Sequence, residues 1–326
     1  MKRLATALLL LTAVPALAND STATIGAGGL VLEKSDSIYM VSENLYVSVD
    51  KIRVDYRFRN RRLAAAPVVV AFPMPERRLS DEYGGDVAYP SGFRAIVDGK
   101  PVKVTLERKA LVDGKDQSEL LTELRIPIAP ESINEATKVM DALPPPQRRE
   151  LIRLGLAGEE QWDDDGKGMK KHLIPLWSVQ DKYWWRQVFP VGRDLSIRHE
   201  YVPGAGGSVE SAIAFPDLRQ SSDRAAIIAR YCIDDAFLAA VDARRGKGND
   251  GPGMPERTID YILTTGGNWA GPIGDFRLLV DKGKPTNLVS FCGNGVRKIS
   301  PTQFEMRQRN FVPKSDLHIL IIEPRR

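Results

Sequence analysis

Ile52-Arg53-Val54-Asp55-Tyr56-Arg57-Phe58-Arg59 alternates apolar and charged residues with a period of two. It reads as a β-strand with one buried face and one wet face. The stretch before it, Leu45-Tyr46-Val47-Ser48-Val49, carries its apolar residues in the opposite phase. The phase slips at Asp50–Lys51, which predicts a tight turn or a bulge there, because a one-residue shift would otherwise send the apolar set into water. Downstream, Val68-Val69-Val70-Ala71-Phe72 is apolar on both faces, as in a central covered strand, and Pro73 and Pro75 stop it. Ile38 to Pro75 is therefore expected to form a β-meander, the hub of a sheet.

Working outward, Phe93–Val97 and Val102–Leu106 flank Asp98-Gly99, the signature of a hairpin with a type I′ turn. Residues 118–124 suit a short helix. Helical spacing returns over 131–143, and again over 147–156 after Pro144-Pro145-Pro146, so 129–160 reads as a small helical insertion. Lys182–Val188 and Leu195–Tyr201 look like a second hairpin turned at Gly192-Arg193-Asp194. Gly-, Ser- and Pro-rich residues 203–222 close the first unit. Residues 223–243 change to helical period, and short strands follow to Leu317–Ile322. The chain is thus expected to be mainly β, with two β-sandwich-like domains. The first spans 19–222 and carries the insertion; the second spans 223–326 and starts with one or two helices.

Lys2 and Arg3, the apolar run Leu4–Val14 and Ala16-Leu17-Ala18 have the form of a cleavable signal peptide over residues 1–18. The run is too short to span a bilayer and no later segment is apolar enough, so a periplasmic protein without a transmembrane segment is expected. Losing Lys2 and Arg3 lowers the formal charge from +4 to +2. That balance speaks against nucleic acid as a partner, since arginines 57, 59, 61 and 62 stand beside Asp50 and Asp55 as on a solvated sheet face. Two cysteines, Cys232 and Cys292, suit a disulfide in an oxidising compartment; two buried thiols or a redox pair are the competing readings. A bond between them would close a loop worth roughly 4 kcal/mol in chain entropy.

Signals for chemistry are sparse. Residues 25–32 are Gly-rich, but no Gly-Lys-Ser/Thr follows, so small residues entering an edge strand explain them better than a phosphate loop. Asp163, Asp164 and Asp165 resemble half of a calcium loop, yet Ile174 stands where an EF-hand needs its bidentate Glu. His172, His199 and His318 lack metal-ligand spacing. Gly207-Ser208-Val209 lacks the second glycine of a nucleophile elbow. The aromatic residues Trp177, Tyr183, Trp184, Trp185 and Trp269 are the candidates for a ligand or partner surface, with Trp184 and Trp185 on opposite strand faces.

Several motifs resemble those of an exported bacterial family known as domain of unknown function 4424. They include Gly28-Gly29-Leu30-Val31, Tyr56-Arg57-Phe58-Arg59-Asn60, Ala71-Phe72-Pro73-Met74-Pro75, Tyr231-Cys232-Ile233-Asp234-Asp235, Asn268-Trp269-Ala270-Gly271-Pro272-Ile273 and Ser290-Phe291-Cys292-Gly293. The resemblance spans nearly the whole mature chain and implies that the two cysteines are one feature. It implies no activity. Phe72–Pro75 followed by the Asp98-Gly99 hairpin is also similar to the VIT domain of inter-alpha-trypsin-inhibitor-like proteins, over about a quarter of the chain. The expectation is a non-catalytic binding or interaction module of the cell envelope, without cofactor, acting on an envelope protein or small ligand. The alternative is a hydrolase of an envelope polymer that uses carboxylates or His172.

Overall fold

The computed structural model describes residues 20–26, 29–79, 87–164, 166–215, 222–245 and 253–325. The chain opens with β1 (Ser21–Gly26), β2 (Gly29–Glu33), β3 (Ile38–Val47), β4 (Ile52–Asn60), β5 (Ala66–Pro73) and β6 (Arg77–Arg78). Then come β7 (Ser91–Val97), β8 (Lys100–Val102), β9 (Thr105–Val112), β10 (Lys115–Asp116) and helices α1 (Ser118–Glu123), α2 (Ile133–Asp141) and α3 (Pro145–Arg153). Next are β11 (Ala157–Trp162), β12 (Lys170–Pro175), β13 (Ser178–Phe189), β14 (Asp194–Val202), β15 (Gly206–Ser208), α4 (Ser222–Tyr231) and α5 (Asp235–Arg245). The last elements are β16 (Glu256–Tyr261), β17 (Ile273–Asp281), β18 (Leu288–Phe291), β19 (Arg297–Lys298), β20 (Gln303–Phe311) and β21 (Leu317–Ile322). The protein is mainly β.

An eight-stranded sheet runs β19-β20-β17-β3-β4-β14-β7-β8. Its inner face is covered by a seven-stranded sheet, β10-β9-β13-β5-β1-β2 with β6 beside β13, and by a four-stranded sheet, β15-β16-β21-β18. Tyr56, Phe58 and Phe276 from the first meet Phe72, Trp185 and Phe189 from the second and Tyr261 and Ile319 from the third in one continuous core. The period of two in β4 does what it predicts: Ile52, Val54, Tyr56 and Phe58 are buried and Arg53, Arg57 and Arg59 are exposed. The phase slip is resolved by a turn in which the Ser48 N–H bonds the Lys51 carbonyl at 2.9 Å, and a bulge follows upstream between Met40 and Ser42. Asp98 and Gly99 adopt φ of 45° and 80°, the type I′ pair.

Strand partners differ from the expectation at three places. β5 leaves the meander and pairs with β13 and β1 in the opposite sheet. β13 and β14 do not form a hairpin: β13 lies between β5 and β9, whereas β14 lies between β4 and β7. The chain changes sheets at residues 190–193. Third, β17 pairs in parallel with β3, Ser42 opposite Asp275 and Leu45 opposite Leu278. One sheet therefore holds strands from both sides of 222/223, and among the described residues one core cluster draws on both sides as well. Gly274 permits this contact, because a Cβ on it would lie 2.6 Å from the Val41 carbonyl oxygen at the bulge.

The helical insertion has its own core. Leu121, Met140 and Leu151 from α1, α2 and α3 close over Leu173, Trp177 and Val179. Helices α4 and α5 pack Tyr231 and Val241 on the outer face of the four-stranded sheet, against Leu288, Leu320 and Ile322. The Gly-rich segment near the start is a hairpin, β1–β2, folded onto Ala71 and Trp184. Residues 27–28 and 246–252 lie outside the described residues.

Candidate functional site

The site is built where the eight-stranded and four-stranded sheets part. β20 alternates, so Phe304, Met306 and Gln308 point inward beside Leu278 of β17. β18 ends the four-stranded sheet and has only β21 as a strand partner. Just beyond β18, Cys292 is bonded to Cys232 with Cα atoms 5.0 Å apart, which pins the α4–α5 turn to the strand end. Cys232 holds φ at 51°, the left-handed conformation that ends α4, and the Ile233 N–H closes back onto the Ile228 carbonyl at 3.0 Å. The Ser290 hydroxyl adds a bond to the Tyr231 carbonyl at 2.9 Å. Gly293 then turns tightly over β20: a Cβ there would sit 2.8 Å from Val296 Cγ2 and 3.1 Å from Met306 Sδ.

These elements leave a groove of about 820 Å³. Phe237, Val289, Phe291, Val296, Phe304, Met306 and Phe311 supply apolar walls, and Gln308, Asn310 and Lys314 stand at its polar side. Its two carboxylates already have structural partners. Asp316 accepts the Leu263 and Thr264 N–H groups at 3.1 Å and the Thr264 hydroxyl at 2.7 Å. Asp234 caps α5 by accepting the Phe237 N–H at 2.7 Å. The groove thus sets apolar walls beside a polar side, with both of its carboxylates engaged in local hydrogen bonds.

A family profile described as Domain of unknown function (DUF4424) matches residues 18–320. The chain belongs to this family. No curated protein matches the DUF4424 chain. Among solved structures, it is similar to a "putative nutrient binding protein" of Legionella pneumophila at 14% identity and a TM-score of 0.39, covering 89% of this chain and 68% of that one. It is also similar to an M1 zinc metallopeptidase of Deinococcus radiodurans at 10% identity and a TM-score of 0.26, covering 89% of this chain and 43% of that one.

The aromatic residues singled out in the sequence do not make one surface. Trp177 is fully buried in the insertion core and donates Nε1–H to the Ile128 carbonyl at 2.8 Å. Trp185 and Trp269 are 3% and 2% exposed, and Trp269 donates to the Asp20 carbonyl at 2.5 Å. Tyr183 is half-buried and stacks on Phe93 at 4.2 Å. Trp184 does face the other way, half-buried against Ala23 and Leu30 of the β1–β2 hairpin. The sheet change at 190–193 puts only one face of β13 in the central core; on the other face Arg186 and Val188 are exposed. None of the five lines the groove.

Each histidine pairs with an aspartate. His172 Nδ1 meets Asp141 at 2.8 Å under the stacked ring of Trp162, His199 Nε2 meets Asp20 at 2.9 Å, and His318 Nδ1 meets Asp260 at 2.6 Å across β16–β21. Burial raises the Asp260 carboxyl, but His318 and Arg230 outweigh it and leave its pKa low. Asp163 and Asp164 are exposed and belong to their own loop: Asp163 accepts the Gly166 and Gly168 N–H groups and Asp164 pairs with Lys170. Asp165 lies outside the described residues. Among the described residues no group of His, Cys, Asp and Glu is placed to hold a metal ion, and no helix is long and apolar enough to cross a membrane.

Sequence reasoning missed the buried polar centre. Asp20, Glu43 and His199 are fully buried, and the Tyr56 and Tyr261 hydroxyls meet at 3.1 Å. Burial pushes the Asp20 carboxyl up against the opposing pull of His199. Burial likewise pushes both tyrosines well above their ordinary range. The only signal was an in-phase Glu43 and Tyr56 among inward-facing residues. Period alone does not distinguish a buried carboxylate from a misplaced one.

Proposed function

We propose that this protein is a non-catalytic binding module of the bacterial envelope, exported by cleavage after Ala18, which holds an apolar ligand or partner segment in the groove beside Cys232–Cys292. The observation that carries this reading is the groove itself. About 820 Å³ falls in the range of small-molecule sites, and aromatic and aliphatic walls stand beside polar groups there. The leader-like residues 1–18 support the compartment. A hydrolase is not favoured by the placement of His172, which is stacked under Trp162 and does not line the groove.

The test is a thermal-shift screen of apolar small molecules and peptides, run on the natural protein and on Gln308→Trp, which fills the groove from a half-exposed position on β20. A compound that raises the melting temperature of the natural protein, and not that of the variant, supports the reading. Equal stabilisation of both proteins, or none by any compound or by captured envelope proteins, would sink it.

A further inference from the structure

We infer that the outer face of the eight-stranded sheet is a docking surface for the phosphate-bearing face of an anionic bilayer. On this face four carboxylates engage eight cationic side chains. Glu305 alone is gripped by Arg277, Arg297 and Arg307 at 2.7, 3.3 and 3.2 Å. Asp55 holds Arg53 and Arg198 at 3.4 and 2.5 Å. Glu200 holds Lys51 and Arg94 at 3.4 and 3.5 Å, and Asp194 holds Arg59 at 2.6 Å. Glu305 has little accessible surface because guanidinium groups cover it, not because it lies in the interior. Arg57 and Arg309 add two cations from the same strand faces and Asp275 and Asp281 add two carboxylates, so ten cations face six carboxylates and the excess is four positive charges.

The placement says what kind of anion fits. The cations run from β19 to β7, seven neighbouring strands and so about 30 Å across. Adjacent clusters lie within about a Debye length of each other, so their potentials add. An excess spread in two dimensions complements a charged surface better than a single anion or one thread of polymer. Most of the cations are arginines, whose planar fork suits phosphate oxygens. A shallow depression of about 570 Å³ over Ser42, Asn44 and Ser196, between Arg57 and Arg198, gives one headgroup a seat, although Asp55 and Asp275 also line it. The large apolar side chains exposed on or beside this face are single residues, Val202 at the end of β14 and Ile299 just past β19, not a patch that would insert. The attachment is therefore electrostatic, peripheral and reversible.

The test is sedimentation of the processed chain, beginning at Asn19, with phosphatidylglycerol–phosphatidylcholine vesicles and with pure phosphatidylcholine vesicles. The leader is left out because its own apolar run would seek a bilayer. Binding is expected only to the anionic vesicles, and to vanish as salt rises. Arg94→Ser with Arg297→Ser removes two of the most exposed cations, 73% and 71% exposed. At roughly fivefold per arginine, partitioning should fall about 25-fold. Arg149→Ser with Arg186→Ser, exposed but off this face, should leave it nearly unchanged. Three results would overturn the proposal: no binding to anionic vesicles, an equal loss in the control pair, or binding to soluble polyphosphate or an acidic protein without any to vesicles. The Gln308→Trp variant should sediment like the natural protein, which keeps this outcome separate from the groove.

Discussion

Replacing both Cys232 and Cys292 by serine should lower the melting temperature by about 7 °C. The two cysteines are 60 residues apart. Closing a loop of that length removes roughly 14 cal/mol/K from the unfolded chain, or about 4 kcal/mol near room temperature. An unfolding entropy of about 2.1 cal/mol/K per residue gives on the order of 0.6 kcal/mol/K for a chain of this size. Their ratio is the predicted shift. Ser290 still bonds the Tyr231 carbonyl in the variant, so the α4–α5 turn keeps one tie to β18 and the folded structure should survive. Differential scanning calorimetry on the natural protein and the variant measures the shift directly, with mass spectrometry reporting whether the natural cysteines are bonded. An unchanged melting temperature in the presence of a confirmed bond would refute the loop-closure argument and put the role of the bond in the folded state instead.

Other outcomes follow from particular contacts. Trp185→Ala should cost about 3–5 kcal/mol and Trp184→Ala about 1–2 kcal/mol, because only the first indole lies in the central core; the reverse order in urea titrations would overturn the assignment of faces. Lys282 is 5% exposed and its ammonium donates to the Pro285 carbonyl at 2.9 Å and to the Asn287 carbonyl, so Lys282→Met should cost about 1–3 kcal/mol by orphaning them; an unaltered urea midpoint would show that water takes over. Asp20 has a raised folded pKa, so its contribution is fully present below the ordinary carboxyl pKa of about 3.9 and is lost as pH climbs through the raised value. Asp20→Asn should therefore gain on the natural protein between acid and neutral pH, and a gap that shrinks over that range would contradict the sign. Gly29→Ala should destabilise the β1–β2 hairpin by about 1–2 kcal/mol, since φ is 97° and the new Cβ would lie 2.2 Å from Glu107 Oε1, which accepts the Leu30 N–H; undiminished hydrogen-exchange protection at Leu30 would refute this.

What could be read from residues alone was local. The alternation in β4 and the Asp98-Gly99 turn each depend on neighbours a few positions away, and each appears where its pattern predicts; the prolines do separate α2 from α3, but Pro145 and Pro146 form the first turn of α3 instead of lying before it. Strand partnership depends on distant chain. Val68–Phe72 is recognisably a covered strand, but nothing in it says that β13 and β1 cover its edges rather than β4. The same gap misplaced the tryptophans, whose strand was legible and whose cover was not. The groove was illegible for a related reason: its walls come from β17, β18, β20 and the α4–α5 turn, and only the cysteine pair hinted that two of these meet.

The parallel contact between β3 and β17 has a kinetic consequence. Ser42 waits for Asp275, more than two hundred residues away, and such long loops are slow to close. Until residues 273–281 have been made, β3 is a raw edge with Leu45 and Val47 at its back, a template for pairing with any passing strand. A chain stopped before β17 should not yield a smaller stable protein but an aggregate. The growing polypeptide therefore carries an unpaired, aggregation-prone edge until β17 is made, and the fold closes last at that contact.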